Sequence, residues 1–142
     1  MRFMIIRKAD TDTEAGVMPT EPLIVAMGDY HEQMVKAGVL LDGTGLKPSA
    51  TGARVKFTNG KPTVIDGPFA EAKELIAGYS IIDVKSKAEA IEWVRKWPQI
   101  DGGGSVEIEI RQVYELEDFG SSEGLDRLRE IGFGEKKEPM SR

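Results

Sequence analysis

The stretch that decides the fold is KPTVIDGPFAEAKELIAGYSIIDV, which runs from Lys61 to Val84. It begins in a strand at Pro62–Ile65, passes through the tight turn Asp66–Phe69 and ends in an apolar strand at Ile76–Val84. Asp, Gly and Pro in succession are typical of a turn, because they permit or fix backbone angles that other residues avoid. The stretch therefore predicts two strands joined by a polar turn, and this turn is where we expect a ligand.

A β-hairpin is predicted just before that turn. Ala53–Thr58 and Lys61–Ile65 flank the dipeptide Asn59-Gly60. Asn-Gly suits the two positive φ angles of a type I′ turn, so the two segments are expected to pair directly.

The register of this hairpin predicts an apolar strip beside a carboxylate. Val55 faces Val64 on one side of the ribbon. Phe57 faces Pro62 on the same side, and Asp66 closes it. The strip therefore leads to Asp66.

Upstream of the hairpin, the pattern predicts a strand, a helix and a second strand. Met1–Lys8 is apolar on both sides of its alternation and is typical of a central strand, whereas Asp10–Gly16 is polar and is predicted to be a loop. A helix should begin after Thr20, which caps it, and end at Gly38. Val39–Asp42 should then form a short strand.

Downstream, a second helix and a last strand are predicted. Ile76–Val84 is expected to be a central strand. Ser86–Glu89 is a capping box that opens a helix, and Pro98 ends it. Gly102–Gly104 should be a flexible joint before the alternating strand at Val106–Arg111.

This order of elements predicts an α+β fold, a ferredoxin-like sandwich with a mainly antiparallel sheet and helices on one face. The boundary is expected near residue 116, so that residues 1–116 form the domain and residues 117–142 form a polar tail with a possible short helix at Leu125–Ile131. The uncovered sheet face carries apolar residues together with Glu109 and Arg111. A homodimer that closes this face is therefore expected.

The amino-acid composition excludes several classes of function. The 142 residues include no Cys, which excludes disulfides, thiolate metal sites and thiol nucleophiles and predicts a cytoplasmic protein. A net charge of -5 argues against nucleic acid as a partner, and no apolar run is long enough for a membrane span. No motif for a metal or another cofactor is present.

Asp66 is the first candidate site residue, with two interpretations. Its simplest role is to hydrogen-bond the following backbone N–H groups and hold the turn. At the end of an apolar strip, burial would instead favour its protonated form, and it could accept a proton or a hydrogen bond from a ligand.

The neighbouring charged turn and one strand face supply further ligand-binding candidates. A charged turn is usually only solvated, but it can also clamp a polar ligand. Arg111 is the best anion contact if the strand face lines a cavity. The ligand-binding candidates are Asp66, Phe69, Glu71, Lys73, Glu74 and Arg111.

His31 and Asp42 complete the catalytic candidates with Asp66. Histidine exchanges a proton near neutral pH without help from its environment, although His31 lies beside Met27 and Met34 at helical spacing, which favours a packing role. Asp42 is close enough to the helix end to be considered as a partner of His31.

Three stretches carry a family resemblance: VKAGVLLDGTGLKPSATGARV at 35–55, KPTVIDGPFAEAKELIAGYSIIDVKSKAEAIEWV at 61–94 and EIEIRQVYELEDFG at 107–120. With them the chain resembles the DGPF-domain proteins of the YCII-related family over nearly all of Met1–Gly120. The resemblance implies a dimeric ferredoxin-like fold related to the muconolactone-isomerase type of dimeric α/β barrel. It implies no defined reaction.

Shorter members of the wider family carry a His and Asp pair, with the His in the first helix. That His position falls at Met27 in this chain, one helical turn before His31. The resemblance therefore does not transfer a catalytic histidine.

Two interpretations of function remain. The first is a protein that binds a small molecule in a pocket near the Asp66 turn. Such a protein could also be an enzyme that transfers protons without a cofactor, as in isomerisation or lactone chemistry. The alternative is a non-catalytic regulatory or assembly module that acts as a homodimer.

Overall fold

A computed structural model describes the whole chain, residues 1–142. Its main sheet has four strands in the order β2-β5-β1-β6, and every neighbouring pair is antiparallel. A second sheet contains only the hairpin β3-β4. The strands are β1 (Arg2–Lys8), β2 (Leu40–Gly45), β3 (Ala53–Thr58), β4 (Lys61–Asp66), β5 (Ile76–Asp83) and β6 (Ile108–Gln112). The helices are α1 (Thr11–Glu14), α2 (Glu21–Lys36), α3 (Lys87–Arg95) and α4 (Glu123–Glu130).

The connectivity confirms the ferredoxin-like prediction. Strand, helix and strand occur twice in succession, as β1-α2-β2 and β5-α3-β6, and the two strands that begin the units lie side by side in the centre of the sheet. The hairpin is an insertion between the units. The chain is therefore α+β with a mainly antiparallel sheet.

The core lies between the sheet and the two long helices. Phe3 and Ile5 of β1 point to the helix side, next to Ile82 of β5. Tyr30 and Met34 of α2 pack against them and are almost completely buried. Helices cover this face of the sheet only, which is why the alternate strand residues remain on an open face.

The two ends of α2 follow the predicted capping chemistry. The hydroxyl of Thr20 accepts a hydrogen bond from the backbone N–H of Leu23 at 3.4 Å. At the other end Gly38 has φ +72°, and the N–H of Val39 bonds to the carbonyl of Met34 at 3.0 Å. This reversal delivers the chain directly into β2.

The predicted loop at residues 10–16 is wrong in part, because it contains the short helix α1. The carboxylate of Asp10 accepts a bond from the backbone N–H of Thr13 at 2.8 Å, and the hydroxyl of Thr13 accepts one from the N–H of Asp10 at 2.8 Å. This reciprocal box satisfies two otherwise unpaired donors and stabilises a single helical turn.

The hairpin has the predicted register and turn. Val55 pairs with Val64 and Asn59 and Gly60 have φ angles of 51° and 79°. Every residue of both strands is nevertheless exposed, and Phe57 is 68% exposed. The apolar strip therefore stands in solvent rather than in the core.

The open face of the sheet is half covered. Met4, Ile6, Tyr79 and Ile81 are of intermediate burial on this face. No helix in the structure is long and apolar enough to cross a membrane.

The C-terminal segment, residues 134–142, runs from Arg2 of β1 past Asp83 of β5 to the edge strand β2. The ammonium of Lys137 pairs with Asp42 at 2.9 Å, and the N–H of Met140 donates to the carbonyl of Leu40 at 2.7 Å. An edge strand offers unpaired backbone groups, and this segment satisfies one of them.

Candidate functional site

Two backbone N–H groups of the Asp66–Phe69 turn form hydrogen bonds with the segment that precedes the hairpin. The N–H of Gly67 donates to the carbonyl of Gly52 at 3.0 Å, and the N–H of Phe69 donates to the hydroxyl of Ser49 at 3.0 Å. A Cβ on Gly67 would lie 1.7 Å from the carbonyl oxygen of Ser49, so only glycine fits. Contact with Ser49 therefore fixes the turn.

Ser49 also links the turn to α1. Its backbone N–H donates to one carboxylate oxygen of Glu14 at 3.0 Å, and its hydroxyl donates to the other. The ring of Phe69 stacks under the guanidinium of Arg54, 3.9 Å from the ring centre. These contacts are structural, because each side chain already has a partner within the chain.

The side chain of Asp66 is neither hydrogen-bonded to the backbone of its turn nor buried beside the apolar strip. It is exposed, and its carboxylate makes no hydrogen bond within the chain. The expectation that Asp66 holds its turn is therefore corrected: Ser49 and Gly52 do so, because the turn lies directly on them. The expected burial is absent as well, because the hairpin projects from the domain.

A cleft of about 380 Å³ opens where β1 ends. The segment after the Asp66 turn reaches it through Lys73, which sits in the 3₁₀ turn Ala72–Glu74. Six of the cleft's eight lining residues are polar or charged. Its lining residues are Arg7, Lys8, Ala9, Asp10, Lys73, Ser105, Val106 and Glu107.

Arg7 forms the inner wall of the cleft, with 12% of its side chain exposed. Its guanidinium makes a two-pronged pair with Asp101 at 3.1 and 2.8 Å. A third bond reaches Asp10 at 3.1 Å, and a fourth reaches the carbonyl of Lys8 at 2.7 Å. Arg7 is thus held in one orientation, as expected of a fork-like donor with a bidentate partner.

Asp101 is buried and charged. Burial by itself would raise the pKa of Asp101, but hydrogen bonds from Arg7 and from the indole N–H of Trp97, at 2.8 Å, outweigh it and lower the pKa. The carboxylate therefore stays ionised and keeps Arg7 in place.

The glycine run after Asp101 is a compact turn rather than a flexible joint. Gly102 and Gly103 have φ angles of 60° and 65°, and a Cβ on Gly102 would lie 2.5 Å from a methyl group of Val106. Glycine lets the backbone close tightly beside Arg7. The run thereby places Ser105 at the mouth of the cleft.

Four polar side chains of the cleft have no partner within the chain. Lys8 and Lys73 form no ion pair, and the side chains of Ser105 and Glu107 make no hydrogen bond. Arg7 and Asp10, in contrast, are already paired with each other. The cleft therefore offers two free ammonium groups, one hydroxyl and one carboxylate to a ligand.

His31 and Asp42 do not meet. The Nδ1 atom of His31 lies 2.7 Å from the carbonyl of Met27 on its own helix, and its ring packs edge-on against Tyr30. Asp42 lies on the open face of the sheet and is paired with Lys137, so the sheet stands between the two candidates. The suggested pairing is therefore absent.

Asp42 is also fixed in its charged form. Its hydrogen bond with Lys137 lowers its pKa, and a bond from the N–H of Gly43 acts in the same direction. A carboxylate with a lowered pKa is a weak proton acceptor near neutral pH.

The remaining ligand-binding candidates are dispersed. Arg111 is exposed on the open face and pairs with Glu109 at 3.3 Å, while Glu71 and Glu74 are exposed and do not line the cleft. Of the predicted residues, only Lys73 lies in the cleft. No group of three or more His, Asp or Glu side chains is arranged to hold a metal ion.

Sequence reasoning missed most of the cleft. Ser105 and Glu107 reach it through the fold and carry no local signal. Arg7 did carry a local signal, because it lies on the same face of β1 as the buried residues Phe3 and Ile5. A cation at a buried position requires a carboxylate partner.

Comparison with protein-family models confirms the predicted family. An uncharacterized protein from Rhizobium meliloti (strain 1021), R00369, is 34% identical over 85 residues, which are 59% of this chain and 68% of that protein. Among solved structures, the chain is similar to 5-chloro-2-hydroxyhydroquinone dehydrochlorinase (TftG) from Burkholderia phenoliruptrix AC1100 in complex with 2,5-dihydroxybenzoquinone. The identity is 18%, the TM-score is 0.46, and the match covers 81% of this chain and 95% of that one. The YCII-related domain matches residues 1–117, and the chain belongs to the YCII-related domain family.

Proposed function

We propose that the protein binds a small organic anion in the cleft between Lys8 and Lys73. The observation that carries the proposal is that two ammonium groups line one cleft and neither has an ion-pair partner. In this chain of net charge -5, unpaired cations that line one cleft form a local anion site.

The charge balance of the cleft favours one negatively charged ligand group. Arg7 is neutralised by Asp101 and Asp10, so it supports the wall without adding free positive charge. Lys8 and Lys73 add two positive charges, and Glu107 removes one. A carboxylate or another single anion restores balance.

The size and lining of the cleft limit the rest of the ligand. A volume of about 380 Å³ is near the lower end for small-molecule sites. Only Ala9 and Val106 are apolar in the lining, so a large hydrophobic body is disfavoured. Ser105 and Glu107 can bond to a hydroxyl group, which makes a small hydroxy acid the best-fitting class.

Binding is favoured over proton transfer. Asp10 has a lowered pKa, chiefly because its carboxylate accepts the backbone N–H of Thr13. His31 lies on α2 and does not line the cleft. A proton-transfer reaction such as isomerisation would fall to Glu107 alone, and this side chain is exposed.

Isothermal titration calorimetry with a panel of small hydroxy acids tests this proposal. Lys73→Gln should weaken binding of any acid that binds by about tenfold to a hundredfold, because a hydrogen bond to a charged group is worth roughly 1.5–3 kcal/mol. Lys47→Gln is the matched control, because Lys47 is an exposed lysine outside the cleft. Equal losses for the two variants would contradict the proposal.

A second candidate function is assembly as a homodimer across the open sheet face. Met4, Ile6, Tyr79 and Ile81 support it, because they are apolar or aromatic and have no helix above them. A dimer of this kind would act as a non-catalytic regulatory or assembly module in the cytoplasm, where a chain without cysteine is expected.

A further inference from the structure

We infer that the β3-β4 hairpin is an arm that docks on a second copy of this chain, against an acidic and apolar surface that we define as Val17, Met18, Glu21, Ile24, Val25 and Asp29. None of the arm or acceptor residues lines the cleft, and the acceptor lies on α2 and the segment before it rather than on the open sheet face.

The hairpin lacks the packing that would stabilise it within its own chain. It forms no hydrogen-bonded pair with the main sheet, and all of its strand residues are exposed. Val55, Phe57 and Val64 lie on the same face of the hairpin, and each residue is more than half exposed. An isolated two-stranded hairpin is marginally stable at best in water, so this strip requires a cover.

The charge of the hairpin indicates which partner can cover it. Its strands carry Arg54, Lys56 and Lys61 against the single acid Asp66. The chain as a whole has a net charge of -5, so the rest of the molecule is more acidic than the total. A second copy of the same chain is therefore an electrostatically complementary partner.

One region of the chain combines acidic charge with exposed apolar residues. Residues 9–35 contain six acidic residues and no Lys or Arg. Asp12, Glu21 and Asp29 form no ion pair. The exposed apolar residues of the same region are Val17, Met18, Ile24 and Val25.

The base of the arm lies close to the start of the acceptor surface. Ser49, at the base of the hairpin, bonds to Glu14, which is three residues before Val17. In a pair related by a two-fold axis, the arm of each copy can then reach the acceptor of the other. Reciprocal docking doubles the buried area, and a stable interface buries roughly 800 Å² on each partner.

Disulfide trapping tests the inference cleanly, because the chain has no cysteine. One protein carries Pro62→Cys, on the apolar side of the arm opposite Phe57. A second, tagged protein carries Gly28→Cys on the acceptor helix, where a Cβ meets nothing within 4 Å. The control arm is Thr63→Cys, the next residue, whose side chain lies on the other face of the hairpin.

The two proteins are mixed, oxidised mildly and separated without reductant. We expect the Pro62→Cys and Gly28→Cys pair to give a mixed disulfide several times faster than the Thr63→Cys control. The rate should fall when Phe57→Ser is added to the arm. Equal rates for the two arms, no mixed disulfide, or a rate unchanged by Phe57→Ser would each overturn the inference.

Discussion

Arg7 shows how one buried charge shapes the site. It follows Phe3 and Ile5 on the helix side of β1, where a guanidinium has lost most of its water. Pairing with Asp101 compensates for that loss, and removing one partner of a buried pair leaves the other uncompensated. Arg7 therefore depends on Asp101 for its position.

Asp101→Asn is expected to destabilise the protein. Asn cannot supply the negative charge that faces Arg7, and breaking a buried pair costs about 3–5 kcal/mol. Urea denaturation measures the change. Asp126→Asn is the control, because Asp126 pairs with Arg129 on the exposed surface and should change stability by less than about 1 kcal/mol. Similar losses for both variants would show that Asp101 is not a buried partner.

Stability should fall in acid for the same reason. The folded-state pKa of Asp101 is lowered, since bonds from Arg7 and Trp97 exceed the opposing effect of burial. A carboxylate with a lowered folded pKa contributes stability above its unfolded pKa, near 4, and loses it as pH falls through the folded value. The urea midpoint should therefore change little from pH 7 to 5 and drop below about pH 4.

In Asp101→Asn this contribution is absent at every pH. The drop below about pH 4 should therefore be smaller in the variant than in the unaltered protein. An acid-induced drop of the same size in both proteins would contradict this assignment.

Single residues also show why the site was harder to predict than the fold. Asp66 stood out in the sequence because it ends an apolar strip, but the strip proved to be exposed. Glu107 had no distinguishing pattern, and only the pairing of β1 with β6 brings it to the cleft. Clefts are made by long-range contacts, which local patterns do not report.

Local elements were predictable where their ends carry their own chemistry. The cap at Ser86, the stop at Gly38 and the turn at Asn59-Gly60 all depend on hydrogen bonds or φ angles within a few residues. The short helix α1 was not predicted, because Asp10 and Thr13 form a capping box without the usual Glu or Gln.

A substitution at Gly67 tests whether the Asp66–Phe69 turn packs directly on the backbone of Ser49. Gly67→Ala would place a Cβ 1.7 Å from a backbone oxygen, so the turn must shift. We expect a loss of about 1–3 kcal/mol, the usual range for a forced contact. Gly28→Ala, with open space around its Cβ, should stabilise α2 by up to about 1 kcal/mol. Thermal denaturation of both variants decides this, and a stable Gly67→Ala would show that the turn is not seated there.

The molecule as a whole leaves one sheet face without helices, and this leads to a prediction about assembly. If the open face closes a dimer, light scattering of a Phe57→Ser protein, whose arm no longer docks, should give the mass of two chains, and adding Ile6→Lys should reduce it to one by placing a charge among apolar residues. Ile100→Lys, at an exposed apolar residue outside that face, should have no such effect. A monomeric unaltered protein at micromolar concentration would remove the open-face dimer.

The anion cleft is tested most directly by NMR titration of the unaltered protein with small hydroxy acids. Amide signals of the residues that surround the two free lysines should shift with a single saturable affinity, and the shifts should be lost in Lys73→Gln. The amides expected to respond are those of Lys8, Ala9, Lys73, Ser105, Val106 and Glu107. Shifts centred on Asp66 or His31 instead, or no saturable shift with any acid, would contradict the account.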